Sequence, residues 1–91
     1  MSVRVSIPPT LRGLCGGEAT VRVRPGTVAE AMQQLRERYN GVHERLCNER
    51  GEIRGSVLMF VNDEDIRFLR DQETELRPGD EVSIIPAFAG G

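Results

Sequence analysis

Three stretches of this 91-residue chain carry groups that could do chemistry. Gly90 and Gly91 place an α-carboxylate at the end of a backbone that has no Cβ atoms. His43 and Cys47 stand four residues apart, a spacing that could hold two metal ligands, with Cys15 as a conceivable third. Asn62, Asp63, Glu64 and Asp65 form a polar, mostly acidic run. The His-Cys set lacks a fourth ligand, and the acidic run lacks the liganding spacing and bidentate glutamate of a calcium loop. The expectations are therefore no metal site, solvated loop residues for His43, Cys47 and Cys15, and a polar turn at 62–65. No Ser-His-Asp, Cys-His or HExxH constellation is present, so no catalytic residue of its own is expected in this chain.

The terminal glycines are left as the reactive candidate. Pro86 has no N–H to give to a strand ladder, so the strand "EVSII" should end there and release Ala87, Phe88, Ala89, Gly90 and Gly91. A channel that admits a carboxylate to an ATP site can be narrow only where the entering backbone carries no side chain, and Gly90-Gly91 meets that need. With a reference pKa of about 3.5 the Gly91 carboxylate is ionised at neutral pH and is a poor electrophile until activated. Taken alone, a Gly-Gly end also fits a frayed tail or a cloning scar.

The rest of the chain must position that end. "SVRVSIP" alternates with Val3, Val5 and Ile7 on one face, and "ATVRVRPG" repeats the pattern with Val21 and Val23 inward, predicting a hairpin across a Gly-rich loop. Thr27 and Glu30 spell a capping box, and Val28, Ala31, Met32, Leu35 and Tyr39 recur at helical spacing, predicting about three turns stopped by a left-handed cap at Asn40-Gly41. Val42 and Leu46 suggest a short helical turn before a mobile loop. "SVLMFV" predicts a strand with Val57, Met59 and Val61 inward, "IRFL" a short edge strand, and "LRPGDEV" a Pro-Gly turn into a last strand with Val82 and Ile84 inward. One amphipathic helix must lie on one face of the sheet, which gives a two-layer α+β domain. The strand after the helix is expected beside the first hairpin, and the last strand centrally beside strand one. That is a β-grasp arrangement: a mixed four- to five-stranded sheet, domain 1–86, and a flexible C-terminal tail, 87–91.

Composition narrows the function classes. A net charge of -2 argues against nucleic acid as a partner, and no apolar run approaches the roughly 18 residues that span a bilayer. Met1 leads directly into a strand pattern rather than a signal segment, so a cytoplasmic location is expected. Cys15 and Cys47 form no CxxC and read as reduced thiols, and two cysteines cannot hold a four-cysteine iron-sulfur cluster. Every basic residue is arginine, so the chain offers no lysine to its own C-terminus.

"RPGDEVSIIPAFAGG" resembles the C-terminal signature of the ubiquitin-like sulfur carriers, the family that includes the small subunit of molybdopterin synthase and the thiamine-pathway carrier. The resemblance extends over nearly the whole chain, and "FVNDEDIRF" leans toward the carriers of cysteine synthesis. It implies a carrier without a bound cofactor. An E1-like activating enzyme would adenylate Gly91 with ATP and Mg2+, and sulfur from a persulfide would displace AMP to leave a thiocarboxylate. The implied acceptor is a PLP-dependent cysteine synthase, with a metalloprotease releasing the carrier-cysteine adduct. Alternatives are the molybdopterin synthase large subunit as acceptor, a protein modifier joined through Gly91 to lysines of targets, and a β-grasp binding module with an inert tail. Leu58, Phe60 and Ile85, on the sheet face away from the helix, are the expected partner contacts, with Arg4, Arg22 and Ser83 around them. Phe88 is a further aromatic anchor, at a position where the family often has a smaller aliphatic residue.

Overall fold

A computed structural model describes residues 2–86. Ala87, Phe88, Ala89, Gly90 and Gly91, expected to form the tail, lie outside the described residues. In chain order the strands and helices are β1 (Val3–Ser6), β2 (Thr20–Val23), β3 (Gly26–Thr27), α1 (Val28–Arg38), α2 (Asn40–Leu46), β4 (Val57–Val61), β5 (Glu64–Asp65), β6 (Glu75–Leu76) and β7 (Glu81–Pro86). The main sheet runs β2-β1-β7-β4-β5, and β3 pairs with β6 in a small second sheet. β1 is antiparallel to β2 and parallel to β7, while β4 is antiparallel to both β7 and β5. This is the β-grasp topology, with the last strand in the centre.

Alternation decides the two faces. Val3, Val5, Val21, Val23, Met59, Val82 and Ile84 are all buried and meet Val28, Ala31, Met32 and Leu35 of α1 in one core. Each fully buried aliphatic side chain of this kind contributes about 1.5–3 kcal/mol. The capping box forms in both directions: the Glu30 N–H donates to Thr27 Oγ1 at 3.2 Å, and the Thr27 N–H donates to Glu30 Oε1 at 2.8 Å. Gly26 keeps that box possible, because a Cβ there would lie 2.5 Å from Glu30 Oε1.

Four expectations are corrected. The Gly-rich stretch after β1 is a 3-10 helix, Pro9–Cys15, which buries Leu11 and Cys15 and ends on Gly16 in the left-handed region at φ 68°. Apolar side chains spaced four apart outweighed the glycines there. Asn40-Gly41 does not cap α1, for α1 ends at Arg38 with Tyr39 (φ -142°) as its cap, and both residues open α2. α2 packs on the 3-10 helix, and the Leu14 side chain lies 3.6 Å from where a Cβ of Gly41 would stand. That close approach gives Gly41 its use. β4 is not beside the first hairpin, because β7 lies between β1 and β4. "IRFL" is not an edge strand: β5 takes that place with Glu64–Asp65, and Ile66–Phe68 turns as a 3-10 segment behind an Asp65 cap. Among the described residues no helix is long and apolar enough to cross a membrane.

Candidate functional site

β7 is the last described strand, and its register places Pro86 at one end of the sheet. Pro86 stands opposite Val57, the first residue of β4, at the same end of the sheet as the exit of β1. In this register Leu58 faces Ile85 and Phe60 faces Ser83. All four side chains point away from α1, because their neighbours Val57, Met59, Val61, Val82 and Ile84 are buried on the helix side. Ile85 is 46% exposed, and Leu58 and Phe60 are half-buried. The predicted partner face is therefore one continuous apolar strip on two adjacent strands. Its flank is polar, since Arg4 lies between Arg22 on β2 and Glu81 on β7. Arg22 Nη1 also donates to Ser2 Oγ at 3.3 Å.

The strip continues onto β5. Asp65 is the cross-strand partner of Phe60, so its carboxylate lies on the same face, and it is nearly buried there. The Arg67 guanidinium binds it in bidentate fashion, with Nη2 donating to Oδ2 at 2.7 Å and Nε donating to Oδ1 at 3.2 Å. The Arg67 N–H donates to Oδ1 at 2.9 Å as well. These bonds from Arg67 hold the Asp65 carboxyl below the usual carboxylate range. The acidic run is thus a structured turn: Asn62 sits at φ 57°, its side-chain oxygen accepts from the Glu81 N–H, and its amide donates to Asp80.

His43, Cys47 and Cys15 are not solvated loop residues. Cys15 and Cys47 are free thiols buried in the core, and burial pushes both thiols up from their ordinary pKa. The nearest carbonyl oxygen to Cys15 Sγ is that of Glu18, at 3.4 Å. Burial and the nearby Arg36 guanidinium lower the pKa of His43, which favours its neutral form. Among the described residues no group of three or more His, Cys, Asp or Glu is placed to hold a metal ion. His43 and Cys47 instead line an open cleft of about 630 Å³ between α1, α2 and the loop after α2, along with Arg36, Arg50, Glu44 and Glu49. Its lining is of mixed charge and includes no Phe, Tyr or Trp.

Sequence reasoning missed one surface. Phe68 is 83% exposed and Leu69 is 37% exposed, both on the turn that follows Asp65. The signal was there in Asp65, whose type favours a helix N-cap and whose position two residues before Arg67 permits the bond that turns the chain.

Comparison with known proteins places this geometry. A model of the ThiS family matches residues 6–91. The sulfur carrier protein CysO of Mycobacterium tuberculosis is 40% identical over 93 residues, with both chains covered in full. A chain in the crystal structure of the Amycolatopsis orientalis BexX/CysO complex superposes with a TM-score of 0.88 at 40% identity, covering 98% of this chain and 99% of that one. Small archaeal modifier protein 3 of Haloferax volcanii is 35% identical over 65 residues, which is 71% of this chain and 70% of its own. The strand order, the position of the last strand and the likeness across the full chain lead to one conclusion, that the chain belongs to the ThiS family of ubiquitin-like sulfur carriers.

Proposed function

We propose that the chain is a sulfur carrier for cysteine synthesis and that the C-terminal carboxylate of Gly91 is its reactive group. Identity of 40% with a sulfur carrier protein CysO, end to end, carries this reading. An E1-like enzyme transfers AMP from Mg-ATP to the Gly91 carboxylate and releases pyrophosphate. A persulfide then displaces AMP, and reduction of the resulting S–S bond by a thiol leaves the thiocarboxylate. The thiocarboxylate sulfur would go to an activated serine derivative bound by a PLP-dependent cysteine synthase, whose cofactor would supply the electron sink, and a metalloprotease would free cysteine from the carrier-cysteine adduct. Ala87, Phe88, Ala89 and Gly90 thread the carboxylate into each partner. Leu58, Phe60 and Ile85 provide the docking strip, and the chain itself contributes binding and delivery with no catalytic side chain.

Intact mass after incubation with ATP, sulfide and the activating enzyme should show one oxygen exchanged for one sulfur. Subsequent O-phosphoserine and cysteine synthase should add a cysteine residue. Phe60→Ala and Ile85→Ala should slow adenylation while the domain stays folded. No exchange of oxygen for sulfur sinks the carrier reading, and unchanged adenylation in both variants removes the strip from it.

The likeness to a small archaeal modifier favours a second reading, in which Gly91 forms isopeptide bonds with lysines of other proteins. Without lysine the chain cannot build chains of itself. High-mass conjugates in lysate that vanish when Gly91 is deleted would support it.

A further inference from the structure

The β2 edge of the sheet gathers arginine. Arg22, Arg24 and Arg38 line a groove of about 320 Å³ between that edge and α1, together with Ser2, Gln34 and Glu37. The one ion pair among the described residues joins Arg67 to Asp65 at the other edge of the sheet, so no carboxylate there is bound to the three guanidiniums. Arg4 adds a fourth, standing directly opposite Arg22, and its neighbour Glu81 on β7 makes no ion pair with it. Like charges directly opposite on paired strands are destabilising. A solvated arginine on its own needs no ligand, but four of them gathered on a chain of net charge -2 make a local positive field that an anion would relieve.

The groove is also held in shape. Arg38 Nη1 donates to the Arg22 carbonyl at 2.6 Å, and the same guanidinium lies 5.5 Å from the centre of the Tyr39 ring. Arg22 Nη1 donates to Ser2 Oγ at 3.3 Å. Gln34 holds Arg24 by its backbone, at the N–H and the carbonyl. A guanidinium has five N–H donors, and these bonds use one each from Arg22 and Arg38. Because side chains of α1 already occupy backbone groups of Arg22 and Arg24, a ligand here meets arginine forks rather than a bare strand edge. Such a fork matches two oxygens of a phosphate in spacing and plane. We propose that this groove binds a phosphate group, with Arg22, Arg24 and Arg38 as its donors. Glu37, the one carboxylate lining the groove, opposes the anion and limits how tightly it is held. The site is independent of the chemistry at Gly91.

An NMR titration of the full chain tests it, with inorganic phosphate and AMP as separate probes and chloride at matched ionic strength as the control. Amide shifts centred on residues 22–24 and 34–38 should saturate with both probes. Tighter binding of AMP would make the ligand a phosphomonoester, and equal binding would make the phosphate group alone sufficient. Arg24→Gln should weaken binding by about tenfold or more, the worth of a hydrogen bond between charged groups. Glu37→Gln should tighten it, and Arg70→Gln, outside the groove, should leave it unchanged. Unfolding curves of all three variants should match wild type, because none of these side chains is buried. Shifts that never saturate, or that chloride reproduces, overturn the site. So does wild-type affinity in Arg24→Gln, which would put the anion elsewhere on the molecule.

Discussion

At the β2 edge of the sheet the Arg38 guanidinium donates to the Arg22 carbonyl at 2.6 Å, and Gln34 accepts from the Arg24 N–H at 2.8 Å while its amide faces the Arg24 carbonyl at 3.5 Å. At the opposite edge the β4–β5 ladder extends only over Phe60↔Asp65 and Val61↔Glu64, and the chain then turns outward to display Phe68. Helix side chains close one edge, while the other is kept short and carries an apolar knob. An open strand edge is a template for unwanted pairing. Here the β2 edge is closed by side chains of α1, and the β5 edge is kept short by a turn that the Asp65–Arg67 ion pair holds.

Three variants probe that contrast, from the strongest effect to the weakest. Leu35→Ala removes a fully buried side chain from the helix that does the sealing, and should cost about 2–5 kcal/mol in urea unfolding. A smaller loss would mean that α1 is not the element clamping β2. Gln34→Ala strips the Arg24 N–H of its partner in a part-buried setting, at a cost of about 1–3 kcal/mol. It should also promote concentration-dependent self-association, read by light scattering; a variant that stays as monomeric as wild type would show that the edge needs no seal. Asp65→Asn acts on the other edge and mainly on its pH dependence. Because the Asp65 carboxyl titrates below its unfolded value, its contribution to stability is present above the unfolded pKa and is lost as pH falls through the folded pKa. Wild type and Asp65→Asn should therefore differ at neutral pH and converge in acid. Curves that stay parallel down to low pH would break the link between this ion pair and the turn.

Residue patterns made much of this fold legible. Strict alternation in "SVRVSI", "TVRV" and "SVLMFV" assigned the inward residues correctly, because a strand's two-residue period follows directly from backbone geometry. The T-x-x-E box marked the start of α1 to the residue, since its bonds span only one turn. The errors share a cause. Asn40-Gly41 resembles a helix stop, yet the chain begins a second helix there so that Val42 and Leu46 can reach the core. "IRFL" resembles a strand, yet Ile66 is buried and Phe68 is not, which a two-residue period would not allow. In both stretches the local signal was weak and contacts remote in sequence decided the outcome.

The site divides in the same way. Type and order alone singled out Leu58, Phe60 and Ile85, because outward apolar residues on a sheet with one covered face can be counted off the pattern. They also singled out the Gly-Gly end as the reactive candidate, while the carrier reading came from the resemblance carried by "RPGDEVSIIPAFAGG". Tertiary structure decided that Leu58 and Ile85 are direct neighbours, that β7 separates β1 from β4, and that Asp65 turns back to hold Arg67 and present Phe68. Strand order and the direction of a short turn depend on which distant surfaces must be buried together, and no local stretch of residues contains that information.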